Sequence, residues 1–268
     1  MHRYVSLLLL VSAAALAACD KNGRQDISAP ANGAFVKFFN FGVGTPSVNF
    51  YANTQKVTAI SSANCQPPND TTSVCRSTGN ESTAGTAYGA AGNGALYNEL
   101  AVGQTTLAGK ISALTDNGLA IASAATSLDN GKFYSYFVSG IYDGTAKKAD
   151  AFVVEDPIPT ISDYSQAYVR FVNAISNSQA MTLFAKNTTT ASEVAAGATV
   201  AYKAAGAFTA LPAGVYDLNT RTAGSSTNVI TRTAVSFVAG HVYTVTARGD
   251  MVSTVTANKP ALDNTANR

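Results

Sequence analysis

Few residues of this chain have the types and the spacing that catalysis or metal binding requires. His241 is the only histidine after residue 2, so a multi-histidine metal site is excluded and a Ser-His-Asp triad would have to use this residue. The four glutamates show no spacing that would pair two carboxylates for glycoside hydrolysis. Calcium-loop and phosphate-loop patterns are absent from the sequence. The sequence therefore predicts no catalytic residue, no metal, no cofactor and no enzyme activity.

The clearest chemical signal is Cys19, which follows Leu16-Ala17-Ala18. These residues end an uncharged run that begins at Val5, after a positively charged start. The run is too short for a membrane-spanning helix, and small residues before a cut site are typical of a signal peptide. The arrangement resembles the lipobox of bacterial lipoproteins. The resemblance implies that residues 1–18 are removed and that Cys19 carries lipid, including palmitate, as a membrane anchor.

This reading predicts a lipid-anchored protein of the bacterial cell envelope, on the periplasmic side or at the surface. Asp20 follows the predicted lipidation site. In enteric bacteria an aspartate there resembles the signal that keeps a lipoprotein at the inner membrane. The sequence leaves the choice between inner and outer membrane open.

The remaining cysteines, Cys65 and Cys75, are expected to form a disulfide. Lipidation of Cys19 leaves this even pair, and an exported protein meets an oxidising compartment. The bond would close a short loop and contribute roughly 3 kcal/mol in the chain-entropy model. The alternative is a metal pair, which is disfavoured because two thiols without a nearby histidine make a poor zinc site.

Composition limits the class of protein and of partner. The chain has 18 Lys and Arg against 16 Asp and Glu, without a basic block, which argues against nucleic acid as a partner. Hydrophobic residues make up 46% of the chain, enough to fill a core. The length after the signal peptide suits one large domain or two small ones.

An internal repeat favours two domains. Four segments of the first half recur in the same order in the second half. The number of residues that separates a segment from its match decreases from 133 for the first pair to 109 for the last. Most of the fall lies between the second and third pairs, which predicts an insertion of about 24 residues that contains both Cys65 and Cys75. The matched pairs are Phe35–Asn40 with Tyr168–Asn173, Val48–Ala52 with Met181–Ala185, Leu100–Gly103 with Leu211–Gly214, and Gly131–Ser135 with Gly240–Thr244.

The repeat gives a predicted division of the chain, in which two prolines mark the linker between the copies. The predicted segments are a signal peptide at 1–18, a polar tether at 19–32, a first sandwich at 33–155, a linker at 156–164, a second sandwich at 165–258 and a flexible tail at 259–268.

Short strands separated by turn residues predict an all-β fold of two tandem antiparallel β-sandwiches, immunoglobulin-like and of Greek-key type. Residues 229–237 alternate with period two, which predicts a strand whose one face carries Val229, Thr231, Thr233, Val235 and Phe237. Hairpin turns are predicted at Asp116-Asn117-Gly118, at Asp129-Asn130-Gly131 and at Ala239-Gly240.

The repeated motifs resemble the domain-of-unknown-function 4397 family of bacterial envelope and secreted proteins. The shared pattern is an aromatic-hydrophobic strand ending in Asn, a following short strand, a Leu-x-x-Gly turn and a late Gly-x-x-Tyr strand. An aspartate common in the second strand of the family is replaced by Asn49 and Thr182. The resemblance implies a β-sandwich and an envelope location, and it supplies no reaction.

Four tyrosines in two repeat-related pairs, Tyr88 with Tyr202 and Tyr134 with Tyr243, are the candidate ligand-binding residues. Aromatic rings on a sandwich can bind sugars, whereas repeated tyrosines on strands are also typical of packing. Two functions stay open. The first is a non-catalytic, lipid-anchored cell-envelope protein that mediates protein or envelope contacts; the alternative is a carbohydrate- or small-ligand-binding module that uses surface tyrosines.

Overall fold

The structure, a computed structural model, describes residues 32–58 and 85–267. These residues form β-strands and two short 3-10 turns, Gly92–Ala95 and Thr256–Asn258, with no α-helix. The strands of the first half are β1 (Ala34–Asn40), β2 (Val48–Ala52), β3 (Gln55–Lys56), β4 (Ala90–Ala91), β5 (Asn98–Leu100), β6 (Gly103–Ile111), β7 (Ala120–Leu128), β8 (Phe133–Asp143) and β9 (Lys148–Glu155). The strands of the second half are β10 (Gln166–Asn173), β11 (Met181–Asn187), β12 (Glu193–Ala195), β13 (Ala204–Ala205), β14 (Thr209–Pro212), β15 (Gly214–Thr222), β16 (Ile230–Phe237), β17 (Val242–Arg248) and β18 (Ala261–Ala266).

The strands form four sheets, two in each half. Sheet I has the order β3-β2-β6-β7, and sheet II has the order β4-β1-β8-β9 with β5 also paired to β1. Sheet III has the order β13-β10-β17-β18 with β14 also paired to β10, and sheet IV has the order β12-β11-β15-β16. The prediction of an all-β fold with sandwich packing is therefore confirmed. The immunoglobulin-like, Greek-key type stays a prediction.

The two halves have the same strand order, pair by pair. Each strand of sheets I and II has a counterpart at the same place in sheets IV and III. The first half differs by its longer connection between β3 and β4, residues 57–89, against residues 196–203 between β12 and β13. This is where the sequence spacing predicts the insertion. Its two cysteines lie outside the described residues.

The inner sheets depart from the predicted antiparallel pairing. In sheet II, β1 runs parallel to β8, and in sheet III, β10 runs parallel to β17. The other pairs in the four sheets are antiparallel. Parallel strands typically lie in sheets that are covered on both faces. The sheets that contain these pairs are covered in that way.

Three hydrophobic layers alternate with the four sheets. The first joins sheets I and II around Phe38, Phe50 and Tyr136, and the third joins sheets III and IV around Phe171 and Leu218. The middle layer lies between sheets II and III. Its buried members are Phe39, Phe41, Phe137, Phe152, Val172 and Ala174.

Alternation along the inner strands supplies two layers at once. In β1, Val36 and Phe38 enter the first layer, whereas Phe39 enters the middle layer. In β10, Phe171 enters the third layer and Val172 the middle one. Successive side chains of a strand point to opposite faces, so these strands need apolar residues at consecutive positions. The two halves consequently belong to one compact unit, Gly33–Arg268.

Stacked aromatic rings fill much of the middle layer on the side of the first half. The ring centroids of Phe39 and Phe137 are 4.8 Å apart, and those of Phe137 and Phe152 are 4.9 Å apart. The rings come from three neighbouring strands, β1, β8 and β9, and they pack in one cluster with Val172 and Ala174 of the second half. Burial of such rings is among the larger apolar contributions to folding.

Two of the three predicted hairpin turns have a different function. Asp116-Asn117-Gly118 joins the antiparallel neighbours β6 and β7, as predicted. Gly131 and Gly240, both with φ of 73°, instead lie between strands of different sheets, namely β7 to β8 and β16 to β17. Glycine suits the positive φ of both turns, but the chain crosses there from one sheet of the sandwich to the other.

A β-bulge changes which residues of β16 are buried. Ala234 has φ of 56°, and the register of β15 against β16 shifts between Tyr216 and Leu218. Val235 and Phe237 are buried as predicted, whereas Thr231 and Thr233 are exposed and Ile230 is buried instead. The extra residue at the bulge reverses the inward and outward positions before it, which strict alternation cannot anticipate.

The prediction of a flexible tail at 259–268 is wrong for the residues that form β18. This strand pairs antiparallel with β17 at the edge of sheet III, as β9 pairs with β8 in sheet II. Leu262 is buried in the third layer, and Asp263 pairs with Arg248. The sequence of β18 is too polar to predict a strand, because the contacts that stabilise it, those of Leu262 and Asp263, are made with residues distant in sequence.

The position of Leu262 gives a test of β18. Leu262→Ala should lower the free energy of unfolding by about 2–5 kcal/mol, because it removes a side chain that is 3% exposed. Val252→Ala, at a side chain that is 80% exposed, should change it by less than about 0.5 kcal/mol. Urea unfolding of the full chain measures both values, and equal effects would contradict the placement of β18.

Candidate functional site

Charged and polar side chains form a cluster between the inner sheets, beside the middle hydrophobic layer. We name this the interface cluster. Lys37 and Arg170 occupy equivalent positions in β1 and β10, each on the strand face opposite its own sandwich core. In an isolated sandwich that face would meet water, but here it meets the other half. The members of the cluster are Lys37, Tyr97, Ser135, Asp156, Arg170, Thr244 and Asn267.

A fully buried ion pair joins the two halves. Arg170 of β10 pairs with Asp156, which directly follows β9, and both side chains have 0% exposure. Arg170 also donates from Nη1 to the carbonyl oxygen of Glu155 at 2.9 Å and from Nε to Thr244 Oγ1 at 3.0 Å. Its guanidinium carbon lies 4.9 Å from the centroid of the Phe208 ring. The guanidinium therefore has partners for hydrogen bonding in both halves.

The second carboxylate oxygen of Asp156 accepts hydrogen bonds from the first half. Ser135 Oγ and the Tyr97 hydroxyl both donate to Oδ2, each at 2.7 Å. Burial and the neighbouring carboxylate raise the pKa of Tyr97 above its usual value, so the hydroxyl keeps its proton and acts as a donor. A charge held by several donors in this way can persist without water.

Lys37 joins β1 to the end of the second half. Its Nζ donates to the carbonyl oxygen of Ala266 at 2.5 Å and to Asn267 Oδ1 at 3.1 Å, and it lies 4.4 Å from the centroid of the Tyr97 ring. Asn267 Nδ2 in turn donates to Thr244 Oγ1 at 2.6 Å. Burial lowers the pKa of Lys37 to about 8; Asp156 opposes this shift and Arg170 adds to it.

The contacts of the interface cluster support an architectural function. Its three charged side chains are each 2% exposed or less. Each of the three forms a hydrogen bond or ion pair with a residue of the other half: Arg170 with Asp156, and Lys37 with Ala266 and Asn267. The cluster can therefore fix one half against the other, because displacing either half would leave buried charges without partners.

Tyr134 and Tyr243 are packing residues, which agrees with the packing alternative given for the repeated tyrosines. They are 5% and 7% exposed and belong to the first and third hydrophobic layers. The backbone N–H of Asp129 donates to the Tyr134 hydroxyl at 3.1 Å, and that of Val238 donates to the Tyr243 hydroxyl at 3.1 Å. The repeat relation of these tyrosines reflects the same packing at the same turn in each half.

Tyr88 and Tyr202 contact the opposite half. The Tyr202 hydroxyl donates to Asp150 Oδ2 at 2.7 Å and lies 2.9 Å from Ser139 Oγ, both in the first half. The guanidinium carbon of Arg248, in the second half, lies 5.2 Å from the Tyr88 ring centroid. Burial raises the pKa of Tyr202 above its usual value. These two predicted residues lie at the boundary between halves, away from Tyr134 and Tyr243.

A cavity of about 460 Å³ opens beside the interface cluster, and we name it the seam cavity. It is lined by residues 158–161 of the connection between the halves, by Phe133 at the start of β8, and by Tyr164 and Asn267. Asn267 belongs to both the cavity wall and the interface cluster. Tyr164 is 72% exposed.

The other residues considered in the sequence are dispersed or lie outside the described residues. Cys19, Cys65 and Cys75 belong to the latter group. His241 is exposed just before β17, its ring 6.1 Å from that of Tyr243. Within residues 32–58 and 85–267, no three His, Cys, Asp or Glu side chains are grouped to hold a metal ion. The same residues include no helix of the length and apolar character needed to cross a membrane.

Sequence reasoning missed the residues of the interface cluster. One available signal was a basic residue at the same position of two otherwise apolar strands, Lys37 in β1 and Arg170 in β10. Asp156 lies at the start of the predicted linker, where a carboxylate is unremarkable. Its partners Tyr97 and Ser135 come from separate parts of the first half. Only the packing of the two halves brings these groups together.

Comparison with known proteins identifies a domain in the second half. Residues 167–267 match the family described as "Domain of unknown function (DUF4397)". The matched range runs through β18. No curated protein matches the chain. Among solved structures, the chain is similar to "The Bacillus anthracis TIE protein" at 11% identity and a TM-score of 0.24, over 82% of this chain. The match covers 34% of the chain of that structure, and the likeness is too weak to indicate a shared fold.

Removal of the buried carboxylate tests the ion pair. Asp156→Ala should lower the free energy of unfolding by roughly 3–5 kcal/mol, because Arg170 and Lys37 would remain buried without an anion. Asp116→Asn is a matched control, because it removes the charge and keeps a residue type that tolerates the φ of 59° at this position. Asp116 pairs with Lys147 at 2.6 Å, but both side chains are substantially exposed, so a loss of at most about 1 kcal/mol is expected. Chemical unfolding compares them, and similar losses would contradict the importance of the buried pair.

The lowered pKa of Lys37 predicts a change of stability with pH. The folded pKa is about 8 and the ordinary value is 10.5, so between these values the unfolded chain binds more protons at Lys37 and stability rises with pH. From about pH 7.5 to about pH 9.5 the gain should be about 2 kcal/mol. The gain should be absent in Lys37→Met. Unfolding free energies of both proteins over this range test it, and parallel pH profiles would contradict it.

Proposed function

We propose that this chain is a non-catalytic, lipid-anchored protein of the bacterial cell envelope, which presents a stiff two-sandwich body to an envelope protein. The observation that carries the proposal is the burial of Arg170, Asp156 and Lys37 between the halves. Groups that could otherwise serve chemistry are bonded to one another there. A body joined in this way transmits position and force from an anchor to a distant contact surface better than two domains on a flexible linker.

The anchor itself rests on the sequence. Cys19 ends a segment that resembles a lipobox, and the lipid chains of a lipoprotein bind a bilayer by about 0.8 kcal/mol for each buried CH₂ group. We further propose a disulfide between Cys65 and Cys75, which suits an exported protein. Asp20 favours retention at the inner membrane.

We also propose that residues 33–155 are a second copy of the domain found at 167–267. The matching strand order of the two halves supports this proposal, as do the repeated segments in β1 and β10 and in β8 and β17. The equivalent placement of Lys37 and Arg170 supports it further. Duplication would explain why each half has a sheet face that is complementary to the other.

The second candidate function is binding of a carbohydrate or another small ligand. The observation that favours it is the seam cavity, whose rim carries the exposed ring of Tyr164. This function is compatible with the first, because a lipid-anchored body can carry a binding cavity. It places binding at the boundary between the halves, at a tyrosine outside the two repeat-related pairs.

Substitution of the predicted lipidation site tests the anchor. Cys19→Ser in the native bacterium should abolish the acyl mass on the mature N-terminus and move the protein from the membrane fraction to the soluble fraction, because its lipid is absent. Cys65→Ser, with Cys75→Ser as its pair, is the control for loss of a thiol and should leave the protein with the membranes. A Cys19→Ser protein that stays with the membranes would contradict the proposal.

The same strains test the contact function. Crosslinking in intact cells should join the wild-type protein to a defined set of envelope proteins, and Cys19→Ser should lose that set. Identical crosslinked partners from both strains would contradict a function that depends on the anchor.

A further inference from the structure

We infer that the seam cavity is a binding site for a neutral saccharide, one sugar unit or a short stretch of an uncharged oligosaccharide. The inference rests on the second candidate function and assigns it a site and a ligand class. The cavity volume of about 460 Å³ falls in the usual range of ligand sites, which often lie at boundaries between domains. Both halves and their connecting segment contribute to its wall.

Two parts of the wall are held in place before any ligand arrives. The Asn267 amide is fixed by Lys37 Nζ at 3.1 Å on Oδ1 and by Thr244 Oγ1 at 2.6 Å on Nδ2. The Phe133 ring lies 4.9 Å from the Phe35 ring in a stacked arrangement and 4.9 Å from the Tyr97 ring edge-on. Preorganised walls reduce the entropy lost on binding.

The wall offers unused hydrogen-bonding groups. Asn267 retains one N–H and one lone pair after its two contacts. In the described part of the chain, the peptide N–H groups of Thr160 and Ile161 and the Thr160 hydroxyl make no hydrogen bond. These groups match a ligand with several hydroxyls better than a purely apolar one.

The same wall has apolar faces, and none of the described residues that line it carries a charged side chain. Ile158, Pro159 and Ile161 line it, and Tyr164 presents a ring that is 72% exposed. This ring lies against the β16–β17 turn, where a Cβ added at Gly240 would come within 3.1 Å of Tyr164 Cδ1. An aromatic face suits the C–H face of a sugar ring, and an uncharged wall disfavours a charged ligand, which would lose its hydration.

The cation that is bonded to the cavity wall through Asn267 does not alter this conclusion. Lys37 approaches the cavity only through Asn267, and its ammonium group is occupied by the Ala266 carbonyl, the Asn267 amide and the Tyr97 ring. Among the lining residues that the structure describes, an anionic sugar would therefore find no free cation. Neutral sugars are the class that fits both the polar groups and the lack of charge.

Binding of defined sugars to the full chain tests the inference. The protein is purified in a detergent without a sugar headgroup and titrated by calorimetry with neutral oligosaccharides of glucose, mannose, xylose and N-acetylglucosamine. At least one series should bind. Tyr164→Ala should weaken that binding by about tenfold or more, because the stacking face is removed, whereas Tyr164→Phe should stay within about threefold of wild type.

Matched controls separate a local effect from a general one. Leu114→Ala changes a fully exposed apolar side chain in the β6–β7 turn and should leave binding unchanged. Tyr164→Ala should unfold at the same denaturant concentration as wild type, since the ring is mostly exposed. Thr160→Val should weaken binding while it keeps the side-chain shape.

Three outcomes would overturn the inference: no binding of any neutral oligosaccharide at millimolar concentration, equal binding by wild type and Tyr164→Ala, or binding of neutral aromatic compounds without any saccharide. None of these outcomes concerns membrane anchoring, which the Cys19→Ser variant tests in a separate experiment. Failure of the saccharide site would thus leave the anchored-body proposal standing, and loss of anchoring would leave the cavity measurement valid.

Discussion

Burial of the Arg170–Asp156 ion pair imposes strict conditions on the surrounding structure. Taking two charges out of water costs several kcal/mol for each ion, and their attraction offsets that cost only when hydrogen bonds satisfy both groups. Here the partners come from both halves: Thr244 beside Arg170, and Ser135 and Tyr97 on Asp156. These hydrogen bonds therefore fix the position of one half relative to the other. Apolar packing alone would allow a wider range of positions, because it is not directional.

The same constraint explains the composition of the inner strands. Strands β1, β8, β10 and β17 are buried on both faces, so each must supply a sandwich core and the boundary between halves at alternate positions. On the boundary side, stacked phenylalanine rings exclude water beside the charges. Lower dielectric strengthens the ion pair, and it also raises the cost of losing either partner.

The interface cluster extends to the edge of the boundary between the halves, where the seam cavity opens. Asn267 takes part in the interface cluster and also lines the seam cavity, so the contacts that join the halves also shape the proposed binding site. The segment that connects the halves also takes part in both the cluster and the cavity. It begins with the buried Asp156 and continues past Ile158 to the exposed Tyr164, and thus contributes to both stability and surface chemistry.

Much of the fold followed from the chain because strand alternation, turn glycines and the repeated segments are local signals. They gave the all-β class, the matching segments of the two halves and the site of the insertion. Local signals failed where a distant group supplies the missing partner or changes the register. Asp263 of β18 needs Arg248, and the bulge at Ala234 reverses the burial of β16. The parallel pairing of β1 with β8 likewise depends on a second half that covers sheet II.

For the site, the sequence by itself determined the predicted anchor at Cys19 and the equivalence of the tyrosine pairs. Only the tertiary structure decided that Tyr134 and Tyr243 are core residues, and that Lys37, Asp156 and Arg170 meet. The reason is physical: a basic residue in an apolar strand reads the same whether its sheet face meets water or another sheet. Its environment is set by the packing of the two halves, which brings together residues as distant in sequence as Lys37 and Asn267, 230 positions apart.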